Sequence, residues 1–170
     1  MKASGGFQQS YNAQIAVDGG SRIIVANGVT QSAADSGQLR PMLDGVRRNT
    51  GRTPRRVLAD AGYASEENLR SLGRRRIDGY VAQGRGEKLT EQVASSPQRR
   101  KMHEKMKTKR GQKQYRKRTH IAEPPFGWIK SVVGFRGFSV RSCAKVKAEW
   151  NLVCLALNLR RMNTQMMWSG

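Results

Sequence analysis

Arg56-Val57-Leu58-Ala59-Asp60-Ala61-Gly62-Tyr63-Ala64-Ser65 is the stretch on which the fold turns. Its first residues form a short buried-strand pattern that ends in a carboxylate. Ala61-Gly62-Tyr63 turns the chain. Ser65 is placed to cap a helix over roughly Glu66 to Arg74, and Ile77 to Ala82 supplies another short strand. Working toward the N-terminus, Pro54 breaks the chain before this strand. Asp35 reads as a helix N-cap with Gln38 as its partner, opening a helix to about Asn49 that buries Leu39, Met42, Leu43 and Val46. Tyr11 to Asp18 and Arg22 to Val29 read as a hairpin turned by Gly19-Gly20-Ser21. The order strand, strand, helix, strand, helix, strand predicts an α/β fold with a mixed sheet flanked by helices.

Toward the C-terminus the character changes from Gly84 to about Gln114. Apolar residues thin out, and Gln98 to Arg118 contains 11 Lys/Arg. Residues 84–115 read as a basic insertion, a long exposed helix and loop that is either a solvated charged face or a contact surface. Pro124 and Pro125 then read as the start of a helix, since proline is tolerated in the first turn. Phe126, Ile129 and Val133 recur at helical spacing. Gly134-Phe135-Arg136-Gly137-Phe138 is a glycine-punctuated loop. The last element is a long helix from about Ala144 to Met162. Val146, Trp150, Val153, Cys154 and Leu157 form its core stripe, and Leu152, Leu155 and Leu159 widen that stripe, which predicts a largely buried helix.

The chain has 170 residues, enough for one domain with a real core. It carries 32 Lys/Arg against 12 Asp/Glu, a net charge of +20. Residues 84–122 hold 13 of those cations against 3 acids, so half of the excess sits in under a quarter of the length. Such an imbalance disfavours acidic or neutral small molecules and favours a polyanion, most simply nucleic acid. Cys143 and Cys154 have no Cys-x-x-Cys partner and read as thiols of a reducing compartment. No secretory segment and no apolar run of spanning length is seen, which predicts a cytoplasmic protein.

Two carboxylates stand in suggestive places. Asp60 ends a strand, where ligands bind in open α/β sheets, although a strand-end Asp commonly just caps the next turn. Glu123 precedes the proline pair, where the helix dipole alone would favour it. Glu123 and Lys130 are two helical turns apart and share a face. Carboxylates converging on two hard divalent ions about 4 Å apart are the arrangement that cuts and joins phosphodiesters. Magnesium suits oxygen donors of this kind.

Ala59-Asp60-Ala61-Gly62-Tyr63 and the run Tyr115, Arg118, Glu123, Lys130 resemble the DDE transposases of bacterial insertion sequences, in the group marked by a Tyr-Arg-Glu-Lys signature. Tyr11 to Asp18 and Lys147 to Leu159 fit the same group, so the resemblance spans essentially the whole chain. It implies a ribonuclease-H-like fold and DNA transposition by metal-dependent cleavage and strand transfer. Asp60 would be the second metal-binding acid and Glu123 the third, with two Mg2+ or Mn2+ ions. Tyr115, Arg118 and Lys130, together with Lys113, Arg116 and Lys117 of the basic tract, would contact transposon-end DNA. The spacing from Arg118 to Glu123 is one residue longer than the commonest form of the signature.

In that family the first acid lies on a central strand upstream of the hairpin, and Asp18 at the hairpin's turn is no substitute for it. The expectation is therefore the C-terminal part of a catalytic domain, lacking the first strand, marginally stable alone and weakly active or inactive. Two other readings stand beside it. One is a non-catalytic basic module that binds nucleic acid. The other is an interaction protein that pairs with itself or with a full-length transposase and inhibits it.

Overall fold

A computed structural model of the chain describes residues 2–3, 6–7, 11–84, 93 and 95–167. The strands are β1 (Lys2–Ala3), β2 (Gly6–Phe7), β3 (Asn12–Val17), β4 (Ile24–Thr30), β5 (Arg56–Ala59) and β6 (Asp78–Val81). The helices are α1 (Leu39–Thr50), α2 (Glu66–Arg74), α3 (Pro97–Lys107), α4 (Lys109–Ser131) and α5 (Cys143–Met167). The mixed α/β class is as the sequence reading expects. Among the described residues, however, the strands do not form one mixed sheet. They pair as β1–β2, β3–β4 and β5–β6. The last two pairs belong to different compact units, one made of residues 1–33 and 121–170, the other of residues 34–120.

In the first unit β3 and β4 run antiparallel, from Asn12 opposite Thr30 to Val17 opposite Ile24, with an irregularity at Ala16/Val17. Asp18 closes the turn by accepting from the Gly20 N–H at 3.0 Å and from the Ser21 N–H at 2.8 Å. One side of α5 covers the hairpin. Val146, Trp150, Val153, Cys154 and Leu157 pack with Ile24, Val29 and Ile129 into one core. The Trp150 indole N–H donates to the Gln14 carbonyl at 3.1 Å. Asn158 grips the backbone of Ile24 twice, accepting from its N–H at 2.8 Å and donating to its carbonyl at 2.9 Å. Phe126, Phe135 and Phe138 surround the Trp150 ring, with Phe126 stacked on it at 6.5 Å between centroids. Burial holds Cys154 as a thiol, its pKa pushed up to about 12.

Two expectations for this unit need correction. Pro124 and Pro125 lie inside α4 rather than at a helix start, so Glu123 is a mid-helix residue. The fixed φ of proline is itself helical, and the adjoining Phe126 and Ile129 are held by the Trp150 core, which offsets the lost amide donors. The second correction concerns α5, which is not largely buried. Its core stripe is as expected, but Leu152, Leu155 and Leu159 are 66%, 51% and 57% exposed. A helix covering a two-stranded hairpin has cover for one stripe only, and these leucines project away from it.

In the second unit β5 and β6 are parallel, with Arg56 opposite Asp78 and Ala59 opposite Val81. The crossover between them is α2, as a parallel pair requires. Leu39, Leu43, Ala59, Leu69, Leu72, Ile77 and Val81 make the core. Gly79 admits Leu72, whose Cδ1 lies 2.7 Å from where a Cβ would stand. The start of α1 also differs from expectation. Asp35 opens a single 3-10 turn, Asp35–Gly37, and the helix begins at Leu39 behind Gln38, with no side-chain cap. Lys105 of α3 anchors that helix to β6. Its ammonium donates to Asp78 at 2.5 Å and to the Gly79 carbonyl at 2.8 Å, 4.1 Å from the Tyr80 ring centre. Thr108 then bends the chain into α4, donating to the Lys105 carbonyl and accepting from the Gly111 N–H. The proposed basic insertion lies partly outside the described residues, at 85–92 and 94.

Candidate functional site

Asp60 follows the last residue of β5 and leads into the 3-10 turn Ala61–Tyr63. Its Oδ1 accepts from the Gly62 N–H at 3.2 Å, so the ordinary turn-capping role is real. Its other oxygen does something that role does not need. Oδ2 accepts from the Arg118 guanidinium at 3.0 Å, across 58 residues of sequence. Arg118 is 26% exposed and Asp60 43%, so the pair sits at the edge of solvent.

A second carboxylate stands beside them. A Cβ added to Gly62 would lie 2.7 Å from Asp35 Oδ2 and 3.3 Å from Asp60 Oδ1, so the two carboxylate oxygens are no farther apart than the sum of those distances. The organiser is Asn68, buried at 2% exposure. Its amide donates to the Ser36 carbonyl at 2.6 Å and to the Tyr63 carbonyl at 2.9 Å. The Ser65 hydroxyl, which caps α2 by accepting from the Asn68 N–H, also donates to Ser36 O at 3.2 Å. These bonds tie the Asp35 turn to the Asp60 turn. Sequence reasoning treated Asp35 as a helix cap and missed this neighbour. The available signal was the pair Ser65 and Asn68, one cap and one buried amide on the same turn. Burial pushes the Tyr63 hydroxyl far above its ordinary pKa, and the charges of Asp35 and Asp60 act in the same direction, with Arg118 opposing. Tyr63 therefore stays a neutral phenol beside the two acids.

Lys113, Arg116 and Lys117 are exposed on the first half of α4, with Tyr115 half-buried among them. Spacings of three and four residues put Lys113, Arg116 and Lys117 on one side of the helix. Glu123 and Lys130 lie on the second half, which belongs to the first compact unit, and both are exposed.

Asp35 and Asp60 offer hard oxygen donors of the kind magnesium takes. Yet no three His, Cys, Asp or Glu side chains among the described residues gather into a group that could hold a metal ion. Both Asp60 oxygens already accept protein hydrogen bonds. The pair by itself does not fit a two-metal centre. Among the described residues no helix is long and apolar enough to cross a membrane.

Among curated proteins and solved structures nothing matches the chain. A family model does: the one described as Transposase DDE domain matches residues 1–159, which include Asp60, the basic tract, Glu123 and most of α5. The chain belongs to the transposase DDE domain family.

Proposed function

We propose that this chain acts in DNA transposition on a ribonuclease-H-like framework, binding transposon-end DNA through the basic face of α4. Lys113, Arg116 and Lys117 would meet phosphate oxygens, with Tyr115 and Arg118 beside them, and Lys130 would make a DNA contact of its own. Asp60 and Glu123 stand in this reading as the second and third acids of the family's magnesium- or manganese-binding set. The observation that carries the reading is the family match over residues 1–159, joined to an Asp at the end of β5 that faces the basic tract through Arg118.

A second reading has its own support. Both Asp60 oxygens are engaged by Arg118 and Gly62, and a chain with its acid engaged in this way can hold DNA without cutting it. It makes the protein a non-catalytic member whose activity is electrostatic.

One experiment separates them. Strand cleavage and transfer are measured on DNA carrying the element's own ends, in magnesium or manganese, for the wild type, Asp60→Asn and Glu123→Gln. Cleavage that both substitutions abolish supports the catalytic reading. Absence of cleavage, with DNA binding that is metal-independent and weakens steeply with salt, supports the second. Tight binding insensitive to salt would sink both.

A further inference from the structure

The parallel pair β5–β6 gives the second unit two unlike ends. Residues 34–83 contain ten arginines and no lysine. Arg40 opens α1 and Arg70 lies mid-way along α2, and both are paired, with Glu67 and Glu66. Asp35 and Asp60 lie at the same end as those two glutamates, where α1 and α2 begin. At the other end α1 and α2 finish and β5 and β6 start. Arg47, Arg48, Arg52, Arg55, Arg74 and Arg76 gather there, and all six are exposed. Among the described residues none of the six makes an ion pair.

Two contacts hold this end together. Arg75 donates to Asp44 at 2.7 Å, which sets the finish of α2 against α1. Arg47 and Arg48 follow Asp44 by three and four residues, on the same side of α1. The Asp78 N–H donates to the Arg55 carbonyl at 2.9 Å, which sets the connection into β5 beside the connection into β6. The attraction of helix C-termini for cations accounts for Arg47, Arg48 and Arg74. It does not account for Arg52, Arg55 and Arg76, which lie outside the helices. Arg76 even takes a left-handed φ of 55°, a backbone better suited to glycine or asparagine. Six unpaired like charges repel one another in the free chain, and an external polyanion relieves that repulsion.

We propose that this arginine end is a second phosphate-backbone surface for duplex DNA, apart from the basic face of α4. It rests on the DNA-binding part of the reading above and adds a site to it. The planar guanidinium fork matches phosphate oxygens, and arginine is the cation used throughout this end. The six come from two helix ends and two connections, an arrangement for a row of phosphates rather than for one small anion. Among the described residues every large exposed apolar side chain lies in the first unit. The tyrosines described in the second unit, Tyr63, Tyr80 and Tyr115, are buried or half-buried. This end therefore offers no ring for an unstacked base and no apolar wedge for a lipid surface. A duplex presents phosphates without requiring either. The four residues of β5 separate the two ends by about 13 Å, so DNA held here is held away from Asp60.

The test is filter binding of a random-sequence duplex to the full-length chain at several salt concentrations. The variant Arg52→Gln/Arg55→Gln/Arg76→Asn removes the three arginines outside the helices, and asparagine tolerates the left-handed backbone at residue 76. Its salt slope should fall by about two to three. Its melting temperature without DNA should stay as in the wild type, because all three side chains are exposed. Arg136→Gln/Arg141→Gln/Lys145→Gln removes the same charge from exposed positions of the first unit and should change the slope by about one or less. In the wild type, duplex DNA should protect the six arginines from phenylglyoxal, read by peptide mass spectrometry. Equal slope changes in the two triple variants overturn the proposal, since net charge alone would then explain binding. So does modification of the six arginines that DNA leaves unchanged. If Lys113→Ala/Lys117→Ala lowers the slope and the arginine variant does not, this surface fails and the α4 reading stands. If neither lowers it, both fail. Binding to anionic phospholipid vesicles that the arginine variant abolishes, with duplex binding intact, also overturns the proposal.

Discussion

Arg118 and Asp60 form an ion pair at 3.0 Å that joins the basic half of α4 to the end of β5. The partners are partly solvated, so Arg118→Ala should cost at most about 1 kcal/mol of stability. A urea titration checks this, and a loss of several kcal/mol would mean the pair does far more than an edge contact can. The pair also sets an order among the cations. Lys113 is exposed, whereas part of the Arg118 charge is spent on Asp60. In filter binding at several salt concentrations, Lys113→Ala should reduce the salt slope by about one. Arg118→Ala should reduce it by less.

Trp150 and Asn158 are the two points at which α5 holds the hairpin. Truncating the buried indole in Trp150→Ala should cost about 3–5 kcal/mol. Asn158→Ala strips the Ile24 N–H and carbonyl of their partner and should cost about 1–3 kcal/mol. The contrast is checked by guanidinium unfolding of both variants, and an Asn158→Ala protein as stable as the wild type would refute the double grip.

Gly111 sits where α3 turns into α4, and a Cβ there would lie 2.1 Å from the backbone carbonyl oxygen of Lys105. Backbone cannot step aside as a flexible side chain can. Gly111→Ala should therefore cost at least about 1–3 kcal/mol, the range for overpacking a tight site. Amide exchange at Lys105 to Gln112 should accelerate in the variant, and unchanged protection would show that the bend absorbs the methyl.

Asp18 gives the hairpin an acid-sensitive turn. The Ser21 N–H and hydroxyl hold its carboxyl below the ordinary 3.8, burial opposes, and the Gly20 and Gly19 N–H groups add to the lowering. A carboxylate with a depressed folded pKa stabilises above its unfolded value and loses that contribution as pH falls through the folded one. Melting temperatures of the wild type and Asp18→Asn should differ near neutrality and converge as pH falls below the ordinary 3.8 and through the lowered folded value. A gap that persists in acid would mean that the carboxylate charge is not what the turn uses.

Much of this architecture is readable before any coordinates. Alternation around Gly19-Gly20-Ser21 marks the hairpin, and Ser65 marks α2 to its first residue. Trp150 and its helical neighbours mark the core of α5. What escapes the sequence is long-range. Asp35 and Asp60 are neighbours because the Asn68 amide bridges carbonyls at Ser36 and Tyr63, and no local period encodes a bond across 32 residues. The proline pair carries a true helix-start signal that packing of Phe126 and Ile129 overrides. On α5 two apolar stripes run side by side, and hydrophobicity alone does not say which of them the hairpin covers. Asp60 shows a different limit: the same side chain caps a turn and receives Arg118, so one role does not exclude the other.

Cys154 turns the core beneath α5 into a clock. Its sulfur is buried and protonated, whereas Cys143 is partly accessible at the start of the same helix. A thiol reagent attacks the thiolate and must reach it, so Cys143 should be modified while the fold is closed. Cys154 can react only when α5 lifts from the hairpin, and its labelling rate counts those openings directly.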